Sequence, residues 1–490
     1  MNHDILLMRL NQDCLDQIFA LLRPEAGLRP LSLTCKWVRS RSMPILFERC
    51  LAFADKLHEM ADGFPPPCVW PYIRILTLRE CFPHPPIYGF PDSAYDGFTF
   101  HEETLSHALN SMPQLYSVAI VDRRGIGIPW PILSAMMSVP HLREFYLQGR
   151  LFRSEERPPS DPPPWPAARL TTFRYTPNYL RPEPRSCASE EQVLATILGR
   201  FCGSLERLAI PSESAPFVHL NRWDWPRLRE LVIEGDARLV LNLQVSLVSV
   251  LSTLPRLRLL ALKLEYSFTD KLPPIWPPEE HREELPWPDL ESLTLSWAHQ
   301  DDRIFEHLPP SLRRLSVRTW PRSHGYGMRR LSRWQGSVSD WPGRELSCSD
   351  VLRVLRGCRA TAPRLERLEL EYEVDAHDLA LLRLLPAACP DLQVLYFHRN
   401  RALGDPSAIP VVRRDHGPSI RLAPPPHLLS VPRPQAPRPA PHRGRSLHPC
   451  VRIRARRRRD GRGRGAQGGS VAGVPVSATV SRDFWAMASL

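Results

Sequence analysis

The sequence is poor in lysine and lacks the cysteine patterns of cross-linked or metal-binding domains. Four of its 490 residues are Lys, and none follows a Gly, which excludes the G-K-[ST] phosphate-binding loop. The 11 Cys are scattered without a C-x-x-C pair, which argues against a disulfide framework and a zinc knuckle. The sequence also lacks an N-x-S/T acceptor, a signal-peptide pattern and an apolar run of about 20 residues. We therefore expect a protein of the cytoplasm, the nucleus or both, with no membrane partner.

Catalytic motifs are missing as well. The sequence has no G-x-S-x-G nucleophile elbow. His101 and His107 are six positions apart, so they fall on different faces of a helix and cannot form an H-E-x-x-H site. We expect a protein that is not an enzyme and that needs no cofactor or metal ion.

Arginine and proline are abundant instead, and the positive charge is confined to one end of the chain. Residues 401–490 hold 17 Arg and 4 acids, whereas the remaining residues hold 47 bases and 48 acids. The stretch 405–490 is rich in Pro, Arg and Gly, and we predict that it is disordered. One short run in it is typical of a nuclear-import signal, and a compositionally biased, solvated tail explains it as well. This run contains Arg454, Arg456, Arg457, Arg458 and Arg459.

An internal repeat fills residues 70–400. The pattern Φ-x-x-Φ-x-Φ, in which Φ is an apolar residue, recurs 11 times, usually just after a Pro. Six of the ten spacings between first positions lie within 22 to 29 residues, near the period of leucine-rich repeats. The last two Φ positions alternate with another residue, which indicates a strand with one buried face. The first positions are Ile73, Leu115, Leu142, Leu170, Leu205, Leu228, Leu257, Leu290, Leu312, Leu365 and Leu392.

Helix-like stretches lie between many of these units. We predict helices at 101–112, 130–139, 189–202, 239–253, 349–358 and 375–388. A strand-turn-helix unit cannot bury its apolar face alone, so the units should stack into a curved solenoid. They resemble leucine-rich repeats of the irregular kind. The longest spacing predicts an insertion at about 319–346, which is a loop on a binding face, a bland linker or one degenerate repeat.

A separate helical module precedes the repeats. We predict one helix over LNQDCLDQIFALL at 10–22 and a second over LRPLSLTCKWVRS at 28–40. Ser42 and Pro44 predict the N-cap and first turn of a third short helix. Three helices in about 45 residues bury little core by themselves, so we expect the module to dock onto a partner.

This module resembles the F-box motif. Asp13 stands in a slot where the family has Glu, and Asn11 stands where it usually has Pro. The second half matches at Leu31, Thr34, Cys35 and Lys36. The resemblance implies that the module binds a Skp-family adaptor. The residues that would contact the adaptor are Leu10, Ile18, Phe19, Leu22, Cys35, Trp37 and Val38.

The resulting expectation is an α/β protein with three parts. These parts are a short three-helix F-box at 8–50, an irregular leucine-rich-repeat solenoid at 70–400 and the disordered tail at 405–490. The resemblance implies a substrate-recognition subunit of an SCF-type (Skp–cullin–F-box) ubiquitin ligase. Its partners would be the adaptor, through it a cullin and a RING subunit, and an unknown target protein. The outward strand residues Val232 and Thr294 are candidates for target binding.

Two alternatives remain open at this point. One is a leucine-rich interaction scaffold that does not engage a ubiquitin ligase. The other is a nucleic-acid-associated protein that uses the Arg-rich tail, although the neutral body gives no reason to expect a nucleic-acid partner.

Overall fold

The structure is a computed structural model, and it describes most of the first 400 residues. The described residues are 11–22, 27–53, 64–79, 102–121, 127–149, 165, 169–177, 188–237, 240, 243, 245–265, 273–280, 284–318, 346–362, 364–400 and 420–421. All of them fall within one compact unit, Met1–Pro425. Leu10, most of the predicted insertion and nearly all of the tail, including the Arg454–Arg459 run, lie outside the described residues.

The described part of the chain is α/β, with short helices and one large sheet. The helices are α1 (Gln12–Leu21), α2 (Arg29–Ser32), α3 (Lys36–Leu46), α4 (Glu102–Asn110), α5 (Trp130–Met137), α6 (Ala188–Phe201), α7 (Phe217–Leu220), α8 (Leu247–Val250), α9 (Cys348–Thr361) and α10 (Asp378–Ala388). The strands are β1 (Arg49–Phe53), β2 (Ile75–Arg79), β3 (Ser117–Val121), β4 (Glu144–Gly149), β5 (Thr172–Pro177), β6 (Arg207–Pro211), β7 (Glu230–Asp236), β8 (Leu259–Glu265), β9 (Ser292–Leu295), β10 (Arg314–Val317), β11 (Leu346–Ser347), β12 (Arg367–Glu373), β13 (Val394–Asn400) and β14 (Ile420–Arg421).

The strands lie side by side in the order in which they occur along the chain. The order runs from β1 to β10 and then to β12, β13 and β14, while β11 pairs with the far end of β12. All of these pairs are parallel except β13 with β14. The 28 residues between β10 and β11 therefore do not separate β10 from β12, which pair directly. The order shows that consecutive sequence units became neighbouring strands.

Each of the 11 predicted units joins the sheet through the same backbone contact. The two N–H groups after the first Φ residue both donate to one carbonyl of the preceding unit, with N···O distances of 2.7–3.1 Å. At β7, for example, the N–H groups of Arg229 and Glu230 donate to the carbonyl of Glu206. The second Φ residues then stand opposite one another, as in Leu208↔Leu231 and Leu231↔Leu260. The predicted strand positions and their alternation are confirmed.

The apolar residues of these strands form the main core together with the helices. At the second and third Φ positions the side chains are almost fully buried from β2 to β12. Leu105 and Leu109 of α4, and Ile197 and Leu198 of α6, pack into the same cluster from the helix side. Burying a Leu side chain stabilises a fold by about 1.5–3 kcal/mol, so this continuous stripe is the main stabilising feature of the sheet.

Most of the predicted helices are confirmed with small shifts of their ends. The prediction of one continuous helix over 239–253 is wrong, because Val240 is helical, Leu243, Val245 and Ser246 are not, and α8 spans Leu247–Val250. The hydroxyl of Ser246 accepts the N–H of Ser249 and so caps the short helix. The prediction also missed β1, whose inward positions are Cys50 and Ala52 rather than two large apolar residues.

The predicted boundary between the second and third helices of the N-terminal module is wrong. Ser42 and Pro44 lie inside α3, and the hydroxyl of Ser42 donates to the carbonyl of Arg39. The helix begins instead at Lys36, and the Sγ atom of the N-cap residue Cys35 accepts the N–H of Val38 at 3.5 Å. Pro44 lies two residues from the end of the helix, and because it has no N–H, one carbonyl of the preceding turn loses its helical hydrogen bond.

The N-terminal module joins the sheet directly. Phe47 and Glu48 are the only residues between α3 and β1, and β1 pairs with β2 over its whole length. Met43, Phe47 and Cys50 pack against the main core. The module is therefore held on the first strands of the sheet by packing and by strand pairing.

Candidate interaction surfaces

The N-terminal module has a small apolar core of its own. Phe19, Leu28 and Val38 form it, and they are 0–2% exposed. Leu22, Cys35 and Trp37 are partly buried and pack against this core. Of the residues predicted to contact an adaptor, Phe19 and Val38 thus support the module from within, because buried side chains are not accessible to a partner.

Other apolar side chains of the module face solvent. Ile18 is 37% exposed, Leu21 is 84% exposed and Leu33 is 74% exposed. They come from α1 and from the turn between α2 and α3. A single exposed Leu is ordinary, but three exposed apolar side chains on a module of about 35 residues make it a candidate for docking, and we call these three residues together the docking surface. Of the sequence-predicted residues, Ile18 belongs to this surface.

The outward face of the sheet is the second candidate surface. Val232 and Thr294 both lie on it, because each is flanked by two buried apolar residues of its own strand. They belong to one row across the sheet, in which Val232 stands opposite Ala261, and Ala261 stands opposite Thr294. Both side chains are half-buried. Small residues therefore occupy the middle of this row between β6 and β10.

Charged side chains lie beside these small residues. We call them the charged band, and they come from strands β5 to β13. The band consists of Arg174, Glu234, Lys263, Arg318, Glu369 and His398. The repeat pattern marks only buried positions and so does not reveal the band. Two of its members, Arg174 and Glu369, stand in the row itself, and the other four lie two places beyond it.

Burial and neighbouring charges both shift the pKa values of Glu234 and Lys263, which lie in the middle of the band. Burial raises the pKa of Glu234, while Lys263 and Arg174 and a hydrogen bond with Thr176 oppose the rise. Burial also lowers the pKa of Lys263, with Glu234 opposing the shift and Arg318 adding to it. These groups are already partly withdrawn from water. A partner that covers them would lose less hydration than one that covers fully solvated charges.

Glu369 is the most strongly held carboxylate of the band. Burial alone would raise its pKa, but His398, Arg318 and Ser316 outweigh burial and lower it to about 2. The Arg318 guanidinium lies 2.7 Å from Glu369 Oε1, and His398 Nε2 lies 3.6 Å from it. The hydroxyl of Ser316 donates to the other oxygen at 3.0 Å. This carboxylate stays ionised at neutral pH and fixes three neighbouring side chains.

Buried carboxylates elsewhere tie loops and helices to the sheet. Asp302 accepts the backbone N–H groups of Ile275, Trp276 and Ile304 at 2.8–3.1 Å, and burial raises its pKa to about 6. The hydroxyl of Tyr372 donates to Asp378, which opens α10. These contacts account for the burial of both carboxylates.

The described residues also bear on three other kinds of feature: a metal site, a reactive thiol and a membrane-spanning helix. In the described part of the chain, His, Cys, Asp and Glu do not gather into a group that could hold a metal ion. Burial raises the pKa of Cys50 to about 11 and that of Cys389 to about 12, so both thiols stay protonated at neutral pH. Among the described residues, no helix combines the length and the apolar character needed to cross a membrane.

Comparisons with known proteins leave the family open. No protein-family model matches the chain, and no curated protein matches it in a sequence search. The case for any function therefore rests on the two surfaces themselves.

Proposed function

We propose that the chain is the substrate receptor of an SCF-type ubiquitin ligase. In this proposal the N-terminal module is an F-box that binds a Skp-family adaptor, and through it a cullin and a RING subunit. The units of the sheet are irregular leucine-rich repeats that bind the target protein. The receptor carries out no bond chemistry; it raises the effective concentration of the target beside the conjugating enzyme.

One observation carries the proposal. The helical module keeps Phe19, Leu28 and Val38 for its own core and leaves Ile18, Leu21 and Leu33 in water. Exposure of these apolar side chains to water is unfavourable for a module this small. A partner that covers them gains about 25 cal/mol of free energy per Å² of apolar surface buried. An apolar groove of an adaptor supplies that cover.

The connection between the module and the sheet supports the same proposal. β1 pairs with β2 two residues after α3 ends, and Met43 and Phe47 pack into the main core. A receptor has to hold its target at a fixed position relative to the ligase, and a packed junction serves this purpose better than a flexible linker.

The experiment is a co-precipitation of the Skp-family adaptor with the full chain. Ile18→Asp with Leu33→Asp puts two charges on the docking surface and leaves the module core intact. The matched control is Leu379→Asp with Leu382→Asp on α10, where the two side chains are 67% and 38% exposed. We expect the first variant to lose the adaptor and the control to retain it. Retention of the adaptor by both variants would contradict the proposed docking surface.

A further inference from the structure

A second cluster of charge lies where strands β7 and β8 begin. The segments that lead into these strands, PRLRE and PRLRL, place an Arg before and after the first buried Leu of each unit. All four of these side chains are exposed. We call them the arginine grid, which consists of Arg227, Arg229, Arg256 and Arg258.

The grid brings like charges onto neighbouring strands. The N–H of Arg258 donates to the carbonyl of Arg229 at 2.7 Å, so these two residues are direct neighbours where the two strands begin. Neighbouring strands are about 4.8 Å apart, and residues two apart along a strand are about 6.6 Å apart. Within the described part of the chain, the grid has one ion pair, between Arg258 and Glu291 at 3.5 Å. Like charges placed side by side destabilise a sheet, and an anionic partner removes that repulsion.

The flanks of the grid limit the size of its partner. The units before β6 and before β9 place Glu206 and Glu291 at the positions equivalent to Arg229, and Asp289 at a position equivalent to Arg227. A long polyanion lying across the strands, such as a nucleic acid, would meet these carboxylates. A short acidic peptide that spans the two strands stops short of the flanking strands and meets four guanidinium groups, of which the one on Arg258 already pairs with Glu291.

We propose that the arginine grid binds a short acidic segment of the target protein. This inference rests on the proposed function, because it names the chemistry of the target. A guanidinium group forms two parallel hydrogen bonds with a carboxylate, so an exposed grid of four fits Glu or Asp side chains spaced two residues apart on an extended chain. The small and charged residues of the outward face then contact the rest of the target.

The test measures fluorescence anisotropy of a labelled hexaglutamate peptide titrated with the full chain at physiological salt. The grid variant is Arg227→Glu with Arg256→Glu, and Arg227→Gln with Arg256→Gln provides a milder version. The matched control is Arg356→Glu with Arg359→Glu on α9, where both residues are exposed. The arginines of residues 401–490 are the same in every variant, so they contribute equally.

We expect the grid variants to weaken peptide binding about tenfold or more, a difference of about 1.4 kcal/mol, and the control to change it little. Equal weakening in the grid and control variants would overturn the inference, because net charge would explain it. A hexanucleotide that binds more tightly than the peptide, and whose binding is weakened only by the grid variants, would show that the grid binds nucleic acid and would overturn the inference. Adaptor co-precipitation is measured in parallel. If the adaptor does not co-precipitate but the peptide still binds through the grid, the ligase function is refuted and the proposal for the grid is retained.

Discussion

The register of the sheet makes a sharp prediction about two adjacent residues of β7. Leu231 is 0% exposed and stands between Leu208 and Leu260, whereas Val232 is half-buried on the opposite face. Leu231→Ala removes buried methyl groups and leaves a cavity, which costs about 2–5 kcal/mol. Val232→Ala removes two half-buried methyl groups, which costs about 1 kcal/mol or less.

These free energies translate into clearly different melting temperatures. A cooperative unit of roughly 300 residues unfolds with an entropy of about 0.6 kcal/mol/K. Leu231→Ala should therefore lower the Tm by about 3–8 °C, and Val232→Ala by about 2 °C or less. Differential scanning calorimetry of the two variants measures this. If Val232→Ala lowers the Tm as much as Leu231→Ala does, the assignment of inward and outward faces is wrong.

Three further substitutions test other parts of the account. Gly357→Ala should lower the free energy of unfolding by about 1–3 kcal/mol, because the new Cβ would lie 2.0 Å from the carbonyl oxygen of Phe305. Gly203→Ala is the control and should be tolerated, because no heavy atom lies within 4 Å of its new Cβ. Chemical denaturation measures both. Asp302→Ala leaves three buried N–H donors unpaired and should cost at least about 3 kcal/mol, with Asp302→Asn in between, as measured by thermal unfolding. Glu369 has a folded pKa below its unfolded value, so it stabilises the fold above about pH 4.5 and loses that contribution as the pH falls towards 2. Glu369→Gln should therefore cost up to about 3 kcal/mol at pH 7, and the difference from wild type should shrink below pH 4.5 in unfolding curves.

The sequence predicts the sheet well because the buried face repeats with a fixed pattern. Two apolar residues separated by one other residue have to lie on the same face of a strand, and in the units from β2 to β12 both are buried. β1 escaped prediction because Cys50 and Ala52 are too small to stand out as a hydrophobic pair. The position of a strand thus follows from its large apolar residues, and a strand without them is found only through its partner.

The boundaries of the short helices were less predictable. Ser42 and Pro44 are typical of a helix start, but Cys35 caps α3 instead and the helix runs through both. A cap contributes only about 1 kcal/mol, so the packing of Val38 into the module core outweighs the local preference. The exposed positions of Leu21 and Leu33 likewise depend on how the helices pack together, which local sequence does not specify.

The candidate surfaces show the same limit. The outward positions of Val232 and Thr294 follow from the strand period alone. The charged band does not, because Glu234 and Lys263 become neighbours only through the pairing of β7 with β8. Contacts between side chains of different units require the register, and the register is a property of the folded sheet.

The central claim is that the N-terminal module binds a Skp-family adaptor. Isothermal titration of the purified full chain with the purified adaptor tests it most directly. The account predicts one adaptor per chain with a Kd of about 1 μM or tighter, which corresponds to about −8 kcal/mol. Burial of apolar surface at Ile18, Leu21 and Leu33 should also give a negative heat-capacity change on binding. A titration with no binding up to about 100 μM adaptor would contradict the account.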